Sequence, residues 1–140
     1  MDVPEVRRQV RAAITNARAA SQRRQTRVDA AVRDYEMFLT ERAVPLFQTF
    51  ASALVAEGLR FKVFTPAGSV RLVPDGASED YIELILETSE DVPQVVGRTS
   101  RGRGRRQLTT ERPLKDGADV STLTEDDVLQ FLVSEIVSFV

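Results

Sequence analysis

The stretch VDAAVRDYEMFLTERAVPLFQTFASALVAEG, residues 28–58, concentrates nearly all the large apolar side chains of the N-terminal half of the chain. Val28, Val32, Tyr35 and Leu39 recur at steps of four and three, and Ala31 and Phe38 widen the stripe. That spacing places them on one face of a 3.6-residue helix. Pro45 is expected to bend or break the pattern, because its ring removes a backbone donor and crowds the preceding turn. Leu46, Phe47, Phe50, Ala51, Leu54 and Val55 then renew the stripe until Gly58, a natural helix stop. Residues 28–58 therefore read as the helical core against which the rest of the chain packs.

Upstream, no Gly or Pro lies between Pro4 and Pro45, and Ala, Arg, Gln and Glu dominate, so helix propensity is high throughout. Asp2 suits the cap and Pro4 the first turn. The apolar stripe is thin here: Val6, Val10, Ile14 and Ala17, then Ser21, Arg24 and Gln25 where apolar residues would be expected. A single helix of roughly 40 residues would be about 60 Å long, too long for a compact domain of this size. Either it breaks near Ser21–Thr26 and folds back as a hairpin, or residues 1–27 project as an arm. The segment Ser-Gln-Arg-Arg-Gln-Thr holds no turn signal, which favours projection and a partner in another copy of the chain.

Downstream of Gly58 the period changes from 3.6 to 2. Leu59, Phe61 and Val63 alternate with Arg60 and Lys62, Thr65–Gly68 forms a turn, and SVRLVP (69–74) returns. YIELILETS (81–89) sets Ile82, Leu84 and Leu86 against Tyr81, Glu83, Ile85 and Glu87. QVVGRTS (94–100) and RRQLTTERP (105–113) then read as a hairpin around Arg101–Gly104. Short loops between four or five strands require antiparallel pairing, since parallel strands need long crossovers. Thr124 is the expected cap of a last helix, with Glu125, Asp126 and Asp127 in its first turn. That helix is apolar on most sides, which predicts burial or cover by a second subunit. It lacks a stop signal, which leaves open whether the chain continues past Val140. The fold class is α+β: a single domain over 1–140, with an arm (1–27), core helices (28–58), an antiparallel meander (59–113) and a C-terminal helix (124–140).

The 140 residues, 42% hydrophobic and 29% charged, suit one globular domain. There is no cysteine and no histidine, which removes disulfides, thiolate chemistry and the commonest proton shuttle and metal ligand. Neither Lys62 nor Lys115 sits in a phosphate loop, and Gln107 occupies the third glycine position that Gly102 and Gly104 would need for a dinucleotide motif. The acidic side chains of 75–91 do not follow the oxygen spacing of a calcium loop. No catalytic residue, metal ligand or cofactor is expected, and the chain reads as a non-enzyme. No window is apolar enough to span a membrane and no signal peptide is evident, so a cytoplasmic location is expected.

A net charge of −2 conceals blocks. Residues 1–33 carry eight basic and three acidic groups, 75–91 seven acids and no base, 92–112 six arginines against Glu111, and 113–140 six acids against Lys115. Such blocks either pair within the fold or mark complementary surfaces on two subunits. The Gly-rich basic run offers Arg98, Arg101, Arg103, Arg105 and Arg106 as candidate partner or phosphate contacts. It has no interleaved aromatic for base stacking. Val6, Val10, Ile14, Ala17, Phe131, Val137 and Phe139 are the candidate oligomer contacts. The expected function is a protein–protein interaction module, such as an adaptor, assembly subunit or chaperone-like protein, acting as a homodimer or in a hetero-complex. Nucleic-acid binding through the arginine hairpin and the arm is the alternative.

Overall fold

The computed structural model describes residues 1–77 and 79–140. Its first element is one helical run from Val3 to Ala56, made of α1 (Val3–Phe38), a π turn (Leu39–Ala43) and α2 (Val44–Ala56). At 1.5 Å per residue this run is about 80 Å long. The Asp2 carboxylate accepts the Glu5 N–H at 2.9 Å, Pro4 sits in the first turn, and Gln25 bonds Asp29 one turn on. Ser21–Thr26 is helical like its neighbours, so the hairpin alternative is excluded and α1 is continuous.

Of the two outcomes expected at Pro45, a bend or a break, the break does not occur. The Val44 N–H instead reaches Leu39 O, five residues back, and the proline enters the first turn of α2. Widening one turn absorbs the missing donor and relieves the clash a proline makes inside a regular helix. At the far end Gly58 takes a φ of +86°, and the Gly58 and Leu59 N–H groups bond Val55 O and Leu54 O at 3.0 and 2.8 Å. This paired closure is the glycine-dependent helix stop that the sequence implies.

Five strands follow in a meander of order β1-β2-β3-β4-β5, every neighbour antiparallel. They are β1 (Phe61–Phe64), β2 (Val70–Pro74), β3 (Tyr81–Glu87), β4 (Gln94–Arg103) and β5 (Arg106–Pro113). β4 runs three residues further than its apolar pattern indicates. The turn is Gly104-Arg105, closed by the Arg103–Arg106 pair, not the expected Arg101–Gly104. Within this turn Gly104 has a positive φ, +62°, which suits the first central position of a tight two-residue hairpin.

The core lies between the inner face of this sheet and the helices, joining Phe38, Phe47 and Leu54 to Leu72, Ile82 and Leu84. The helix α3 (Glu125–Ile136) closes it, capped by Thr124 and Asp127 in a reciprocal box. Val128, Phe131 and Leu132 face inward, whereas Val133, and Val137 just past the helix end, are exposed, so the chain itself buries one side of α3. Its docking is close. A Cβ on Gly97 would lie 2.2 Å from the Phe131 ring, so only glycine fits that point of β4. Glu135 accepts from Thr99 Oγ1 at 3.1 Å and Arg112 Nε at 2.8 Å, and the Arg112 guanidinium lies 4.8 Å from the Phe131 ring centre.

Candidate interaction surfaces

The first 27 residues are exposed apart from partial cover at Glu5 and Ala19. Val10 is 51% and Ile14 45% exposed, and Val6 and Ala17 are likewise in solvent. At 100° per residue, Val6, Val10 and Ala17 point to the same side as Ala31, Tyr35 and Phe38 in the globular part. The arm's apolar face is therefore the buried face of α1 continued past the end of the body. Among the described residues, one hydrogen bond joins the arm to the sheet region, from Arg24 Nη2 to Ser89 O at 3.2 Å. Arg8 pairs with Glu5 on the arm itself, and Arg7, Arg11, Arg18, Arg23, Arg24 and Arg27 have no ion partner among the described residues. Net charge follows the same division: the arm and its base, 1–33, carry +5, and the remaining eleven basic and eighteen acidic residues carry −7.

The arginine hairpin does not hold its five candidate residues together. Arg98 lies mid-sheet and bonds Glu111 Oε1 at 2.7 Å and Glu83 Oε1 at 3.5 Å. The Glu111 hydrogen bond raises the Arg98 pKa and fixes its charge. Arg101 points to the inner face, 5.2 Å from the Phe139 ring centre. Arg103, Arg105 and Arg106 alone form the exposed tip. The acidic loop before β3 does meet this hairpin, but through Asp80, which accepts the Gly102 N–H at 2.8 Å, and through Glu79 O, which accepts from Gln107 at 2.9 Å. Partnership between the basic and acidic blocks is thus real at Arg98 and carried by backbone groups at the tip.

On the sheet's outer face the register aligns Arg71, Glu83, Arg98 and Glu111 in one row across β2–β5. Glu83 is 3% exposed, covered by hydrogen-bonded Arg71 and Arg98. Arg71 also stacks 4.2 Å from the Tyr81 ring centre. Sequence alternation puts Glu83 on this face but gives no hint that it is buried. The usable signal is a row of alternating charges at the centres of successive strands.

Beside this row α1 borders a cleft of about 710 Å³, lined by Val32, Glu36 and Leu39 of the helix, Pro66–Ser69 of the β1–β2 loop, and Ile85 and Thr88. At its edge the Tyr35 hydroxyl donates to Gly68 O at 2.7 Å and lies 3.3 Å from Leu84 O. Burial, then the nearby Glu83 charge, pushes the Tyr35 pKa far above its ordinary value. No protein-family model, curated protein or solved structure matches this chain.

The C-terminal candidates separate as well. Phe131, 2% exposed, is filled by the chain's own β4 and is not free for a second subunit. Phe139 packs edge-on against Phe61, with ring centres 5.9 Å apart. Val137 is open to solvent. No group of three or more acidic side chains among the described residues is placed to hold a metal ion, and no helix there is long and apolar enough to cross a membrane.

Proposed function

We propose that the chain is a non-catalytic protein–protein interaction module whose contact element is the arm of α1. One observation carries this reading: an exposed apolar stripe that continues the chain's own buried helix face, flanked by arginines without ion partners. A helix of this kind is marginal in water and gains most of its stability from packing. Holding it out from a body of opposite charge suits capture of another protein surface.

Nucleic-acid binding is the weaker reading. The two basic patches stand at opposite ends of β4, since Arg24 meets the β3–β4 loop while the hairpin tip lies roughly 30 Å further along the strand. Between them the arginines are engaged with Glu83, Glu111 and Phe139.

The test immobilises wild-type protein and V10Q/I14Q, identifies the captured proteins, the chain itself included, and remeasures binding with the purified species. The expected result is an identified partner bound by wild type and lost from V10Q/I14Q, with modest salt dependence. Binding of a short duplex that weakens steeply with salt, together with unchanged protein capture by V10Q/I14Q, would reverse the ranking.

A further inference from the structure

On one side of α1 the charges change sign along the helix, while Arg23, Arg24, Arg27 and Arg33 project from other sides of its second half. Arg7, Arg11 and Arg18 occupy its first half, while Asp29 and Glu36 stand exposed on its second. None of these five has an ion partner among the described residues. On a helical projection, Arg7, Val10, Ile14, Ser21, Gln25, Val28, Val32 and Leu39 fall on one flank, the flank that borders the 710 Å³ cleft. Val32 breaks the rule of its stripe: it was expected inside with Tyr35, yet it lies at the rim of that cleft, 37% exposed.

We infer that the arm's occupant is a second copy of this chain, bound so that the two α1 helices run antiparallel and each arm lies along the other's cleft. The pairing rests on the arm being a contact surface, and it specifies the partner. When position numbers on the two helices sum to 46 or 47, Ile14 meets Val32 of the second copy, Arg11 meets Glu36 and Arg18 meets Asp29. Ser21 and Gln25, polar where the stripe should be apolar, then face each other at the two-fold axis, where an antiparallel pair is least enclosed by the two bodies. A parallel pair would instead set Arg7, Arg11 and Arg18 beside their own copies, at a cost in repulsion. The chain cannot satisfy itself, because Ile14 and Val32 lie about 27 Å apart on one rigid helix. Both copies give and receive the same contact, so the assembly closes as a dimer.

Charge exchange tests the register without disturbing the fold, since Arg11 and Glu36 are exposed. Sedimentation equilibrium is expected to show a wild-type dimer, weakened about tenfold by R11E or by E36R because the symmetry repeats each change. The double variant R11E/E36R should recover wild-type affinity. The chain has no cysteine, so mixing I14C with V32C under mild oxidation should give a disulfide-linked dimer, while I14C alone should not. Crosslinking by I14C alone, or a double variant as weak as the single ones, would overturn the antiparallel register. A wild-type chain that stays monomeric would overturn the second copy as occupant. Loss of a different purified partner from V10Q/I14Q would in that case still uphold the arm as a contact surface. A dimer unaffected by V10Q/I14Q would remove both.

Discussion

Residues 3–27 and 28–56 belong to one helical run and share one apolar face, yet the second part is core and the first is solvent-exposed. Helix propensity, capping and periodicity do not distinguish them. What differs is the opposing surface: from Ala31 onward the sheet and the turn before α3 fill the apolar side, whereas the arm is exposed and, among the described residues, is met only at Arg24, by Ser89. Burial is a property of the pair of surfaces, and an amphipathic helix longer than its own domain displays the half that the domain leaves uncovered.

In the monomer, changes in the packed region should therefore cost stability, and changes in the arm should not. The largest effect is expected at Phe131. F131A should lose about 3–5 kcal/mol in denaturant unfolding, from lost burial plus a cavity. G97A, which forces a methyl into that ring, should lose about 1–3 kcal/mol. Because the G97A methyl would occupy space vacated by F131A, the double variant should lose clearly less than the sum. Simple additivity would mean that α3 does not dock on β4 as described.

Next comes Glu83. Its removal in E83A leaves the partly exposed Arg71 guanidinium without a carboxylate partner and Arg98 with Glu111 alone, and should cost about 1–3 kcal/mol. An unchanged unfolding midpoint would show that the charged row across the sheet contributes nothing to stability.

Tyr35 joins the packed half of α1 to the edge of the sheet. Y35F should be less stable by about 1 kcal/mol at neutral pH through loss of the hydroxyl's hydrogen bond. Its pKa is raised in the folded state, so the neutral phenol is the form that folding favours. That contribution is fully present below the ordinary value of 10.0 and declines as pH rises above it. Wild type should accordingly lose stability between neutral and strongly alkaline pH more steeply than Y35F, and parallel pH profiles would contradict the assignment.

The smallest stability effect belongs to the arm. In protein dilute enough to be monomeric, V10Q/I14Q should alter the unfolding free energy by less than about 0.5 kcal/mol, as for other exposed sites. A large loss would mean that the arm packs against its own body.

Much of this was legible because local signals agreed. The change of period at Gly58, the Thr124 cap, the alternation in β3 and the absence of turn residues in Ser21–Thr26 all matched their elements. What escaped depended on partners distant in sequence. Pro45 signalled a bend or a break, but whether a helix ends or widens into a π turn depends on the packing on either side. Phe131 had the character of an interface residue and became core because Gly97, 34 positions earlier, leaves room for its ring. The arginine run read as one patch, whereas strand alternation and β4's extra length direct Arg98 and Arg101 to opposite faces and leave three arginines at the tip.

Hydrogen exchange of the arm amides as a function of protein concentration tests the central claim most directly. An unpartnered helix of this length opens readily, whereas one packed against a second copy is protected. Exchange over residues 6–24 should be fast in dilute protein and slow markedly as concentration rises, while exchange in β3 and β4 stays constant. Arm exchange that is equally fast at every concentration would contradict a second copy as its partner.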